Sequence, residues 1–227
     1  MKNITLQLKT IAVILPVNNP EILSQADLDS YQTDDCYFKL SYVNTPLKEL
    51  NTVIDAVKVV PLVLEKMVEA EKSGASAVIV YAFGDVGIKE GKALVSIPVM
   101  GLGKVASHMA ALLCRKRFTI LPGMLAHNAF IEEMIFDESL ERKFIPASYA
   151  PEVSPMQIRT DANLLQKLMG CASKEITENK VDTFTLGCGS FIGVAKKLEL
   201  ALREKFKLPI IVIDPVEVPF NVVKALV

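Results

Sequence analysis

The chain is predicted to be an α/β protein with parallel sheets, and two observations predict it. Short apolar, β-rich runs alternate with helical patterns nearly throughout, which favours parallel strands covered by helices on both faces. One strand-turn-helix stretch also occurs twice, as ASAVIVYAFGDVG from Ala75 to Gly87 and as VDTFTLGCGSFIG from Val181 to Gly193. Each copy leads on to a proline step and another apolar run, at Ile97-Pro98 and at Leu208-Pro209. Aligning the copies sets Ala82 opposite Cys188 and Gly87 opposite Gly193. A chain of two similar halves can bring two equivalent loops to one cleft, and here only one loop carries a thiol.

The elements follow in order. Ile11 to Leu15 is a compact apolar run closed by Pro16 and reads as a buried strand, followed by a loop at Asn18, Asn19 and Pro20. A second strand is read over Tyr37 to Val43. From Leu50 to Lys72, Val53, Val57, Val60, Leu64, Met67 and Val68 recur at helical spacing. Pro61 can divide that stretch in two, because it has no amide donor, and Gly74 ends it. Ala77 to Tyr81 is the third strand, with helices over Val86 to Leu94 and Lys104 to Leu113. Arg117 to Leu121 is a strand closed by Pro122 and Gly123, and a helix follows from Leu125 to Phe136. Ser139 to Thr160 contains Pro146, Pro151 and Pro155, shows no periodicity and yields no element. Asp161 reads as the cap of a helix running to Lys180. A strand at Thr183 to Leu186, a helix from Ile192 to Phe206, a strand at Pro209 to Ile213 and a helix from Val216 complete the chain.

Composition narrows the function. The chain has 227 residues, 51% of them apolar, enough for a sizeable core. A net charge of -1 without a basic patch argues against nucleic acid and anionic membranes as partners. No apolar stretch reaches the ~18 residues of a membrane span. The segment Met1 to Lys9 lacks the apolar core and cleavage site of a secretion signal, so a cytoplasmic location is expected. Cys36, Cys114, Cys171 and Cys188 show no Cys-x-x-Cys spacing, and only His108 and His127 could join them, so neither a zinc site nor a disulfide is expected.

In parallel sheets, ligands sit at the carboxyl ends of the strands, and Cys188 lies in such a loop. It stands between Gly187 and Gly189-Ser190 at the start of a helical pattern, where unpaired amides and the helix dipole are expected to favour thiolate. The alternative is a small buried hydrophobe. The amides of Phe83 and Gly84 can hold a carboxylate or imide oxygen, and Asp85 reads as an N-cap for the helix that follows it. Gly101-Leu102-Gly103 reads as a tight turn or, less simply, a phosphate cradle, with His108 one turn further on. Asn18 can hydrogen-bond a ligand or stabilise its own turn. Asp214 reads as a helix cap, and the basic residues from Lys196 to Lys207 as a solvated face.

Taken together these residues resemble the aspartate/glutamate/hydantoin racemase superfamily, the hydantoin and allantoin racemase branch above all. The resemblance rests on the doubled strand-turn, Phe83-Gly84-Asp85 with Gly87 and Leu186-Gly187-Cys188-Gly189. It extends to Asp55 with Pro61, Gly74, Ile97-Pro98-Val99 with Gly101 and Gly103, His108, Arg117-Phe118-Thr119, and Asp214-Pro215-Val216. It implies a cofactor-free enzyme, commonly a homo-oligomer, with two pseudo-symmetric lobes, each a parallel four-stranded sheet flanked by helices, around a cleft. Residues 1–100 and 208–227 would form the first lobe and 101–207 the second. Two thiols would face one carbon, one removing a proton and one returning it to the opposite face. Cys188 matches one of them, and Ala82 stands where the other belongs. Asn18, Phe83, Gly84, Gly123, Gly189 and Ser190 would line the substrate pocket.

The chain also departs from that pattern. Lys104 replaces a glutamate of the branch, Pro122-Gly123 replaces a pair of threonines, and Pro16-Val17 replaces Asn-Pro. Alanine cannot transfer a proton. The implied function is a racemase or isomerase of a small carbon acid, hydantoin-like or an amino-acid derivative, with one of its two cysteines missing. The alternatives are a single-cysteine decarboxylase of the arylmalonate type and a non-catalytic ligand-binding homologue.

Overall fold

The computed structural model describes residues 8–227, so most of the Met1 to Lys9 segment and the start of the expected first lobe lie outside the described residues. The first half contains β1 (Lys9–Leu15), α1 (Gln25–Leu28), β2 (Cys36–Tyr42), α2 (Val53–Lys72), β3 (Ala77–Val80), α3 (Ile88–Leu94) and β4 (Val99–Gly101). The second contains α4 (Gly103–Leu113), β5 (Phe118–Leu121), α5 (Asn128–Asp137), α6 (Pro155–Ile158), α7 (Leu164–Asn179), β6 (Thr183–Leu186), α8 (Ala195–Phe206), β7 (Ile211–Ile213) and α9 (Glu217–Leu226). All strand pairs are parallel, in a four-stranded sheet ordered β2-β1-β3-β4 and a three-stranded sheet ordered β5-β6-β7.

Strand alternation sends successive side chains to opposite faces and so builds separate cores. From the first sheet, Ile11, Val13, Ala77 and Ile79 pack with Val216, Phe220 and Val223 around α9. Ala12, Ile14, Val78 and Val80 point the other way and pack with Val59, Val63 and Met67 of α2. In the second sheet, Phe184 and Leu186 meet α7 and α8, while Phe118 and Ile120 meet α4 and α5.

Four details differ from the sequence reading. The second sheet has three strands and not four. Beside β5, Phe118 N–H donates to Lys143 and Ile145 N–H to Phe118, making one parallel bridge with Phe144. The pairing stops there, where the Thr119 hydroxyl takes the Ile145 carbonyl at 2.7 Å, the acceptor that the Ile120 amide would need to continue the ladder. Leu208 to Ile213 does not belong with the first lobe, since β7 pairs with β6 and only α9 crosses back. Pro61 does not divide α2, because the carbonyl it deprives belongs to the exposed residue Val57 and can face water. Asp161 does not cap α7; its carboxylate accepts from Asn163 N–H at 2.8 Å, and Asn163 takes the cap position.

Candidate functional site

The carboxyl ends of both sheets open onto one cavity of about 340 Å³. Pro16 and Val17 reach it from the loop after β1, Tyr81 to Val86 from the loop after β3, and Gly187 to Ser190 from the loop after β6. Leu50, Thr52, Val53 and Ala56 form one wall, and His127, Phe130 and Met134 another. Ala82 and Cys188 are both in the lining. The repeat holds in the backbone, for the aligned glycines share a left-handed conformation, with φ of 71° at Gly87 and 73° at Gly193. Among the described residues, the amides of Phe83, Gly84 and Gly189 donate to no protein acceptor, so both loops can offer amides to a ligand.

Cys188 precedes a three-residue 3-10 turn, Gly189–Phe191, and not an α-helix, so little dipole acts on it. Burial pushes the thiol's pKa up, opposed by the Ser190 amide and hydroxyl, so the group rests as the thiol and not as the expected thiolate. The residue as a whole is half-buried. The Ser190 hydroxyl is buried beside the sulfur.

Tyr81 forms the floor of the cleft. Its hydroxyl leaves the end of β3 and donates to the Gly189 carbonyl at 2.8 Å, a buried bond between the two lobes. A Cβ on Gly189 would lie 2.5 Å from Tyr81 Cε1, so glycine is required there by the ring beside it. Sequence reading missed Tyr81, although its alignment opposite Gly187 was a visible asymmetry between the copies. His127 was also missed as a lining residue. Its Nε2 is buried without a partner among the described residues, and burial lowers its pKa, which favours neutral imidazole.

Asp85 does not cap the helix that follows it. Its carboxylate accepts from the Gly103 and Lys104 amides, both at 2.9 Å, and so caps α4. A Cβ on Gly101 would strike that carboxylate, and one on Gly103 would strike the Phe83 carbonyl. The two glycines therefore admit the chain's own loop and leave no room for a phosphate. Burial raises the Asp85 pKa to about 6 against the pull of the two amides. Lys104 lines the cavity, but its ammonium is held by Glu138 at 2.6 Å. His108 is exposed and binds the other oxygen of Glu138 at 2.9 Å.

Two expected pocket residues lie elsewhere. Asn18 is exposed and outside the lining, and it is Asn19 that is buried, its amide donating to the Lys48 carbonyl at 2.9 Å. Gly123 packs against the 150s segment, where it accepts from Val153 N–H at 2.9 Å and has no space for a Cβ. Phe83, Gly84, Gly189 and Ser190 are all in the lining. Among the described residues, no group of three or more His, Cys, Asp or Glu side chains could hold a metal ion, and no helix is long and apolar enough to cross a membrane.

Comparison with known proteins agrees with this architecture. The chain is 26% identical over 168 residues to a hydantoin racemase of Paenarthrobacter aurescens, a match covering 72% of this chain and 67% of that one. A hydantoin racemase of Pseudomonas sp. (strain NS671) is 19% identical over 63% of this chain and 57% of its own. Among solved structures, allantoin racemase from Klebsiella pneumoniae superposes with a TM-score of 0.84 at 19% identity, covering 96% of this chain and 87% of that one. A glycine-to-cysteine, cysteine-to-serine double variant of arylmalonate decarboxylase superposes with a TM-score of 0.66 at 13% identity, covering 96% and 91%. These structural matches establish the fold, an α/β arrangement of parallel sheets flanked by helices. A family model described as Asp/Glu/hydantoin racemase matches residues 43–222, and with most of its length inside that match the chain belongs to the Asp/Glu/hydantoin racemase family.

Proposed function

We propose that this chain is a cofactor-independent, racemase-type enzyme that transfers a proton at one face of a small carbon acid, a hydantoin-like compound or an amino-acid derivative. Cys188 is its acid/base group, and Ala82 marks the vacant position of a second thiol. The observation that carries this reading is the shared cavity, in which one sulfur and one methyl occupy equivalent loops beside amides free to bind an oxyanion.

The chemistry follows from those groups. The Cys188 sulfur, as thiolate, takes the proton from the carbon next to a carbonyl. The electron pair moves onto the carbonyl oxygen, where loop amides stabilise it. The thiol then returns a proton to the same face. Inversion requires a donor on the opposite face, and a methyl group has none. The expected outcome in D₂O is exchange of the α-proton of one enantiomer without inversion, followed by proton NMR. Installing Ala82→Cys should add inversion, read by polarimetry on both enantiomers of several hydantoins. No exchange with any of them, and no inversion in the variant, would remove this reading.

The resting protonation of Cys188 supports a second reading. A group held as thiol is ready to donate, and the cavity walls are largely apolar, with Leu15, Val17, Ile22 and Leu50 among them. That suits loss of carbon dioxide from a disubstituted malonate and protonation of the resulting enediolate on one face. Carbon dioxide release that disappears in Cys188→Ala would select this reading over exchange. Ligand uptake without turnover, unchanged in Cys188→Ala, would leave only a binding protein.

A further inference from the structure

Helix α2 has a second apolar face that its own chain leaves uncovered. Val59, Val63 and Met67 are buried against the first sheet. Away from them, Ile54, Val57, Pro61, Leu64 and Val68 succeed one another at steps of three, four, three and four residues. Ile54 is 66% exposed and Val57 64%, Pro61 is also exposed, and Leu64 and Val68 are half-buried. The outward side of a surface helix is ordinarily polar, whereas this alternation of three and four is the seam of paired helices. A shallow groove beside the seam is lined by Pro61, Leu64, Val68 and Leu94.

The charges beside the seam identify what covers it. Lys58 and Glu65 flank it on the same side, one in each half of the helix, and neither has an ion-pair partner among the described residues. Two parallel copies would set Lys58 and Glu65 against the flank that carries Val53 and Val60, which offers neither an opposite charge. Two antiparallel copies related by a two-fold axis at Pro61 set each Lys58 against Glu65 of the other copy. The same register lays Ile54 against Val68 and Val57 against Leu64, and it directs Ile54 of the second copy toward the groove. The pattern is self-complementary, as a two-fold interface requires.

We propose that this face of α2 is a homodimer interface, with the α2 of a second copy of this chain packed antiparallel across Pro61. The first turns of α2 carry Thr52, Val53 and Ala56 into the cavity wall, so the second copy sits beside the cavity mouth.

Sedimentation equilibrium of the full chain tests the proposal. The expected mass is twice the 24.9 kDa of one chain. Val57→Asp, at an exposed position, should reduce it to the monomer while leaving the far-ultraviolet circular dichroism unchanged. Lys58→Glu should weaken association roughly ten-fold by opposing like charges, and adding Glu65→Lys to it should restore the wild-type constant. A wild-type monomer, a Val57→Asp dimer, or a charge exchange that fails to restore association would overturn it.

Discussion

In the first lobe, the loop after β3 carries the carboxylate, and the helix beyond supplies the amides: Asp85 accepts from Gly103 and Lys104. In the second lobe the direction reverses. The loop after β6 supplies an amide, Gly193 N–H, and the carboxylate comes from Asp214 at the end of β7, at 3.0 Å. Asp214 also accepts from Val216 and Glu217 at the start of α9. The same strand-turn geometry is therefore fastened from opposite ends. The loop that donates an amide is the one that carries the sulfur, and the loop that gives up a carboxylate to the next helix presents only a methyl and backbone. Similar backbones thus allow the two loops to divide the work, one supplying reactive chemistry and the other a wall.

The largest test of that division is at its two equivalent positions. Cys188→Ala should lower turnover by about 10³-fold, the contribution of a positioned acid/base group, while circular dichroism stays unchanged. Because the folded environment raises the thiol's pKa, α-proton exchange, which begins with the thiolate, should still be rising at pH 9.0, the ordinary thiol value, whereas donation from the Cys188 thiol in a decarboxylation should stay level past that pH and fall only above it. An earlier fall would mean that another group donates.

Next in size is Gly189→Ala. It should cost about 2–3 kcal/mol in urea unfolding, because the added methyl meets the Tyr81 ring, which its own hydrogen bond holds in place. The corresponding loop in the first lobe has no such restriction at Gly84, where a Cβ would make only ordinary contact with Phe130 at 3.9 Å, so Gly84→Ala should be nearly neutral.

Asp85→Ala should cost ~1–2 kcal/mol by leaving the Gly103 and Lys104 amides without an acceptor. Its dependence on pH has a definite sign. The folded chain holds the Asp85 proton more tightly than the unfolded chain, with a pKa of about 6 against 3.8. The contribution of Asp85 to stability is therefore fully present below pH 3.8 and declines as pH rises to about 6. The difference between the wild type and Asp85→Ala in urea should shrink over that window, and a difference that grows would contradict the direction of the shift. The smallest effect is expected for Tyr81→Phe, ~1 kcal/mol for one buried hydrogen bond.

Much of the fold was legible because it depends on local pattern. Buried parallel strands are nearly continuous apolar runs, so Ile11 to Leu15 and Thr183 to Leu186 could be read directly. The duplication could be read too, and the aligned residues Ala82 and Cys188 do line one cavity. What was not legible depends on distant partners. Nothing near Leu208 tells a strand which sheet it will join. Asp85 looked like a local cap because its acceptor role is fulfilled by amides 18 and 19 residues away. The apolar spacing of α2 was real, but periodicity cannot say whether a face is covered by the chain's own sheet, and Val53 and Val57 turned out exposed. In the loop after β1, a one-residue step separates exposed Asn18 from buried Asn19. The stretch from Ser139 to Thr160 showed no period because it is mostly irregular, yet it supplies the Phe144 bridge and brings Pro155 to the cavity.

The Tyr81 hydroxyl has a consequence for how this pocket can change. By tying the base of one half to the base of the other, it fixes how far they can part, since parting would strand a phenol and a carbonyl away from water. Bulkier guests must then be accommodated by remodelling the rim, at the start of α2 and around Phe130, while the depth of the crevice stays constant.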